Sequence, residues 1–236
     1  PYCASSLTPI KNSRNLLQRH IRNHNDNGDG LIADAISKLS RCINLVKTAE
    51  SLDVLRGYEG DSASIYFGCF NFLITSQKED FIMNGRTKRP PLDFVNALLS
   101  FIYMLLVNDL RSAMETTGLD PQVGFLHRLR PGRPSLALDL MEEFRAYIAD
   151  RVALNLINLK QINKHDFEIR ETGEIRISDK GRKEVLVAYQ KKKDEIIEHP
   201  FLGEKTTVGL LPHIQAMLLA RYIRGDINEY PPFYIK

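Results

Sequence analysis

The stretch Phe94–Asn108 (FVNALLSFIYMLLVN) constrains the fold more than any other. It runs 15 residues without a charge, between Asp93 and Asp109. A membrane-crossing helix needs about 20 apolar residues, so this stretch is too short to span, and it carries Asn96, Ser100 and Tyr103. Val95, Leu98, Leu99, Ile102, Leu105 and Leu106 are apolar nearly all round a helix. A helix with no polar face belongs in the middle of a fold. The rest must pack around it, and 43% apolar residues in a 236-residue chain are enough for one good-sized core.

Helical spacing dominates the remainder. Leu16, Leu17 and Ile21 predict a short amphipathic helix after Pro9. Residues 23–30 (NHNDNGDG) read as a polar loop. Ile32, Ile36, Leu39, Ile43 and Val46 form one stripe of a long helix, and a third helix is predicted from Glu59 to about Gln77. GRTKRPP (residues 85–91) breaks helix with tandem prolines. A long loop over residues 118–135 ends at Ser135, an expected N-cap, and the next helix runs to about Asn158. FEIRETGEIRI (residues 167–177) alternates and turns at Gly173, the one clear hairpin signal. Two more helices are expected near 179–198 and 205–224, followed by an extended tail. The fold class is therefore mainly α with a small β-hairpin insert. Residues 1–30 read as a linker with a short helix, and residues 31–236 as one helical domain.

Lys plus Arg number 32 and Asp plus Glu 29, a net charge of +3 that permits a nucleic-acid partner without requiring one. Cys3, Cys42 and Cys69 form no CxxC pair. A disulfide framework and a cysteine zinc site are not expected, which fits a reducing compartment and a cytoplasmic location. No signal peptide is apparent.

Three places hold residues that could carry chemistry. Glu59 shares a helix face with Ala63, Tyr66, Phe67, Phe70 and Leu73. A carboxylate on an apolar stripe is normally neutralised, hydrogen-bonded or metal-bound; alternatively it is a helix-start acid facing water. Asp139 and Glu142, three apart, point the same way, with Glu143 beside them. Such a set suits a hard divalent ion, or a solvated face paired with Arg145. His127 lies in the glycine- and proline-rich loop with Arg128, Arg130 and Arg133. A histidine, two or three carboxylates and several arginines suit a metal ion and a phosphodiester; the other reading pairs these arginines with Glu142 and Glu143. Arg86, Lys88 and Arg89 could grip a nucleic-acid backbone, whereas Lys191, Lys192 and Lys193 read as a solvated helix face. Asn23–Gly28 only faintly echoes a calcium loop, since its first position is Asn and its twelfth is Asp34. His20 and His24 have zinc-like spacing but no evident third ligand.

The stretches YEGDSASIYF, RPPLDFVNALLSFIYMLL and GLDPQVGFLHRLRPGRPSLALDLMEEFR, in that order, resemble the CRISPR-associated integrase family, the universal spacer-acquisition subunit. The resemblance is strongest from Gly57 to Asn158. It implies a helical C-terminal catalytic domain in which the metal-binding glutamate falls on Glu59, the histidine on His127, and the acidic pair on Asp139 and Glu142. Many relatives carry Asp where this chain has Glu142, which lets Asp139 share the ligand role. It implies Mg²⁺ or Mn²⁺, DNA cleavage, and transesterification that joins new spacer DNA to a CRISPR repeat. The implied partners are protospacer and leader-repeat duplex DNA, a second copy in a homodimer, and a dimer of the small second adaptation protein; no membrane is implied. The family's strand-rich N-terminal domain has no counterpart before residue 57, so the chain is expected to be the catalytic domain alone or one without its front. The alternative is a non-catalytic helical DNA-binding or scaffold module.

Overall fold

The uncharged stretch forms the core of α5, Phe94–Thr117. Asp93 caps its start by accepting the Asn96 N–H at 2.7 Å, and Gly118 ends it in the left-handed region at φ 77°. Leu98, Leu99, Ile102, Leu106, Leu110 and Met114 are wholly buried. By length and composition α5 could cross a membrane; half of it is buried inside the fold, as suits a core helix. The structure, a computed structural model, describes residues 2–24, 30–128 and 130–234.

Around α5 stand α1 (Tyr2–His24), α2 (Leu31–Lys47), α3 (Leu52–Gly68), the single turn α4 (Phe70–Leu73), α6 (Ser135–Phe144), α7 (Arg151–Asn158), α8 (Asp179–Asp194) and α9 (Leu211–Ile223). The class is mainly α, and the Gly173 hairpin forms as β1 (Phe167–Ile169) against β2 (Ile175–Ile177), with Phe167 opposite Ile177. The other differences from expectation have local causes.

Helix α1 begins before Pro9 and runs through it. An interior proline costs about 3 kcal/mol, and packing outweighs it. Ile10 and Leu17 are buried, and Asn12 donates to the carbonyls of Glu143 and Phe233 at 2.8 and 3.0 Å. Helix α3 starts at Leu52 because Ser51 accepts the Val54 N–H at 3.3 Å, so Glu59 sits mid-helix. It stops at Gly68, short of the expected Gln77. Ser135 is the first residue of α6 and not its cap. Its hydroxyl donates to the Arg128 carbonyl at 3.3 Å, and Pro121 O accepts the Leu136 and Ala137 N–H groups at 2.9 and 3.3 Å.

Between α6 and α7 the helix widens into a π segment, Arg145–Asp150, all of it buried. A second hairpin, β3 (Ile196–Glu198) with β4 (Lys205–Thr207), replaces the expected ends of α8 and α9. Pro200 and Gly203 (φ 69°) supply the turn, and the tandem threonines favour a strand. The calcium-loop comparison rests on residues 25–29 and lies outside the described residues.

Candidate active site

The loop that brings in His127 is held from below by one carboxylate. Asp139, 1% exposed on α6, accepts the backbone N–H groups of Phe125 (2.7 Å), Leu126 (2.9 Å) and His127 (2.8 Å). Its Oδ1 also lies 2.6 Å from His127 Nδ1. A carboxylate facing a ring nitrogen at that distance places the proton on Nδ1 and leaves Nε2 with its lone pair. The loop comes this close because residue 124 is glycine. A Cβ there would stand 2.7 Å from Asp139 Oδ2 and from Ser135 Cβ. Both oxygens of Asp139 are thus taken up by N–H donors. Its role is to set the histidine, so the donor face of the site falls to other residues.

Glu59 approaches from α3. Burial first, and the neighbouring Glu142 second, push its carboxyl up to about 7 against the pull of His127 and Arg145. These four groups, with Asp139, therefore share one electrostatic neighbourhood built from α3, the 118–134 loop, α6 and the π segment. Arg56 ties two of those parts together, with its Nε donating to Leu126 O at 2.7 Å and its Nη1 2.8 Å from Asp53.

Glu142 faces Arg145, whose Nη1 lies 2.6 Å from its Oε2. That ion pair leaves the buried oxygen without a well-aligned hydrogen bond, and Arg145 Nε is likewise unbonded. Burial works most strongly against the charge on Arg145, but Glu142, Tyr103, Asp150 and Tyr66 together outweigh it and hold the guanidinium charged. Asp150, wholly buried, accepts the hydroxyls of Tyr66 (2.8 Å) and Tyr103 (2.6 Å). The π segment turns both Arg145 and Asp150 inward. Helices often carry such bulges at functional sites. The sequence paired Arg145 with Glu142 only as a bland alternative, and Asp150, Tyr66 and Tyr103 gave no signal beyond apolar spacing.

Among the described residues, no three His, Cys, Asp or Glu groups stand at metal-holding distance as placed. The donors nonetheless fit a divalent cation. Two carboxylates repel each other in a desolvated place, one buried oxygen has no hydrogen bond, and an imidazole nitrogen keeps a lone pair for a ligand bond. Oxygen ligands with one imidazole suit Mg²⁺ and, better, Mn²⁺. Glu59, Glu142 and His127 Nε2 are the groups that would hold it.

Of the six basic residues singled out, Lys88 shares the field of Glu142 and Arg145, and Arg133 shares that of Lys88. Partial desolvation lowers Lys88, and Arg86, Arg145 and Arg133 lower it too, while Glu142 opposes them. Arg86 is engaged inside the fold, with its Nη1 donating to Asn96 Oδ1 at 2.7 Å and Thr87 O at 2.6 Å and its guanidinium over the Tyr103 ring at 5.2 Å. Arg128 is exposed and 3.5 Å from Asp53. Arg89 and Arg130 are exposed. Glu143 turns away from the centre altogether. Tyr230 OH (2.9 Å), Gln215 Nε2 (3.0 Å) and Phe233 N (3.0 Å) all donate to its carboxylate.

The raised Glu59 carboxyl predicts a pH signature. Between its ordinary 4.5 and about 7 the folded chain keeps a proton that the unfolded chain has released. Stability contributed by this group is therefore full below pH 4.5 and falls as pH rises to 7. In EDTA, Glu59→Gln is expected to melt higher than the native chain at pH 7.5, with the difference shrinking at pH 5. Equal differences at both pH values would contradict the assignment.

Residues 7–191 match the sequence profile of the family described as CRISPR associated protein Cas1. CRISPR-associated endonuclease Cas1 1 of Chlorobaculum tepidum is 54% identical over 225 residues, covering 95% of this chain and 66% of that protein. CRISPR-associated endonuclease Cas1 2 of Rhodospirillum rubrum is 49% identical over 235 residues, covering 98% and 68%. Among solved structures, a Cas1 protein from Thermotoga maritima aligns at TM-score 0.76 and 26% identity, over 95% of this chain and 67% of that one. A casposase bound to integration product aligns at TM-score 0.79 and 24% identity, over 99% and 63%, a likeness of fold alone. The chain spans about two thirds of the length of the curated relatives it matches.

Proposed function

Because the chain belongs to the CRISPR associated protein Cas1 family, we propose that it carries the cutting centre of a metal-dependent DNA endonuclease of CRISPR adaptation. The observation that carries the reading is that Glu59, His127 and Glu142, from three separate elements, share one desolvated, acid-rich electrostatic neighbourhood. The endonuclease names of the similar proteins support it. A divalent ion bound there supplies Lewis-acid polarisation of a phosphate oxygen and stabilises the leaving 3′-oxygen.

The chain's own residues do the rest. Asp139 holds the proton on His127 Nδ1, so that Nε2 stays available. Arg145 is paired with Glu142, in the field of Asp150, and offers charge to a non-bridging oxygen when the Glu142 pair loosens. Lys88 and Arg133 at the rim, with Arg128, Arg130 and Arg89 beyond them, engage the backbone. Phosphoryl transfer depends on placement and charge neutralisation more than on covalent help from protein. Arg86 takes the part of shaping the 85–92 loop that carries Lys88.

The finer reading is that the same centre performs strand transfer, in which a DNA 3′-hydroxyl replaces water as the nucleophile. It carries with it the implied partners: duplex DNA, a second copy of the chain, and a dimer of the small adaptation protein. The second reading, a DNA-binding module without catalysis, draws on the Glu142–Arg145 pair, in which acid and base neutralise each other directly. Incubation of branched duplex DNA with the full chain and Mn²⁺ separates them. Cleavage that EDTA abolishes is expected. Binding without cleavage, or cleavage indifferent to EDTA, would overturn the metal centre.

A further inference from the structure

On the far side of α6 and the π segment lies a cleft of about 320 Å³ between α1 and α7. It shares no lining residue with the centre formed by Glu59, His127, Asp139 and Glu142. Arg19 and Arg22 of α1 face it from one side and Arg151 of α7 from the other, while Leu16, Leu73 and Leu154 give it an apolar wall. Among the described residues that line it, none is acidic. Nor does any described carboxylate pair with these three arginines within 4 Å. Glu195, the acid whose charge reaches Arg151, is bound to Lys192.

Basic residues in the last turn of a helix complement its dipole, which accounts for Arg22 and His24. It does not account for Arg151, which sits at the start of α7. Arg151 continues an unbroken helical run from α6 through the π segment, so no helix end explains a cation there; it stands half-buried, with Arg19 repelling it across the cleft. Burial and like charge both act against Arg151, and among the described residues no carboxylate forms an ion pair with it. Guanidinium forks match phosphate oxygens bidentately. The volume is that of a small-ligand pocket and holds about ten waters, which suits one nucleotide and is far too small for a duplex.

We propose that this cleft binds the phosphate of a single nucleotide unit, with Arg19 and Arg151 gripping the phosphate and the leucine wall receiving the base. The nucleotide is either free or one unit of a single strand. The site goes beyond the nuclease reading and stands without it.

The test uses the full chain in EDTA, with deoxyadenosine 5′-monophosphate and a five-nucleotide single-stranded DNA as probes in calorimetric titration. At least a tenfold loss of binding is expected in Arg151→Gln and in Arg19→Gln, an exposed position that does not endanger folding. Arg130→Gln, near the other centre, should leave monophosphate binding unchanged. Binding of both probes points to a free nucleotide, and binding of the strand alone points to a strand. Binding that survives both Arg19→Gln and Arg151→Gln, or no binding of either probe, overturns the site. Glu59→Gln should retain this binding, so failure here and failure of the nuclease reading are told apart.

Discussion

His127→Ala is expected to lower metal-dependent DNA cleavage by on the order of 10²–10⁴-fold, because it removes a proposed metal-binding nitrogen and with it several kcal/mol of charge stabilisation. The same change should leave the melting temperature nearly unaltered, since the side chain is only partly buried and its ring is held by Asp139 at the rim of the loop. Asp139→Asn should behave differently. Each oxygen of Asp139 takes two donors, so the amide leaves at least one buried backbone N–H without its partner, at about 1–3 kcal/mol. Cleavage should also fall by about 10–100-fold, the usual effect of losing a group that orients a metal-binding histidine. Cleavage rates and thermal denaturation on both variants check this. A histidine variant that melts far lower, or an Asp139→Asn variant as active as the native chain, would contradict the division of roles.

The second large effect concerns the tail. Phe233 is wholly buried against Phe144 (5.3 Å between ring centres) and Tyr147 (5.5 Å), and its N–H donates to Glu143. Its burial covers the back of the helix that carries Glu142. Phe233→Ala is expected to cost about 3–5 kcal/mol of stability. Glu143→Ala would leave the Tyr230 hydroxyl, a Gln215 N–H and the Phe233 N–H without their carboxylate, a comparable loss by a different route. Chemical denaturation measures both. A loss under about 1 kcal/mol for Phe233→Ala would mean that the tail is not part of the core.

What the sequence made legible follows from local physics. The span Phe94–Asn108 declares a central helix because it is apolar nearly all round. The Gly173 hairpin is legible because strict alternation and a turn glycine fall within one short window. Pro9 misleads because the gain that carries α1 through it comes from Asn12 bonding residues 143 and 233, far away in sequence. The second hairpin is hidden because residues 196–207 do not alternate.

At the site, residue types and rough grouping are readable, but the direction of each side chain is not. Asp139 and Glu142 are three apart and look equivalent. Only the loop folded over α6 shows that one grips backbone N–H groups while the other faces Arg145. Glu143 looks like a third acid of the same set, yet its partners lie in α9 and the tail. Arg86 looks like a free surface charge until Asn96 and Ser100 are seen to enclose it. Long-range hydrogen bonds decide each of these cases, and spacing carries no trace of them.

Calorimetric titration of Mn²⁺ into the full chain, free of DNA, bears most directly on the centre. The native chain is expected to bind one strong equivalent, Glu59→Gln and His127→Ala to lose most of that affinity, and Asp139→Asn to lose about 10–100-fold. Binding unchanged in both Glu59→Gln and His127→Ala would contradict the site.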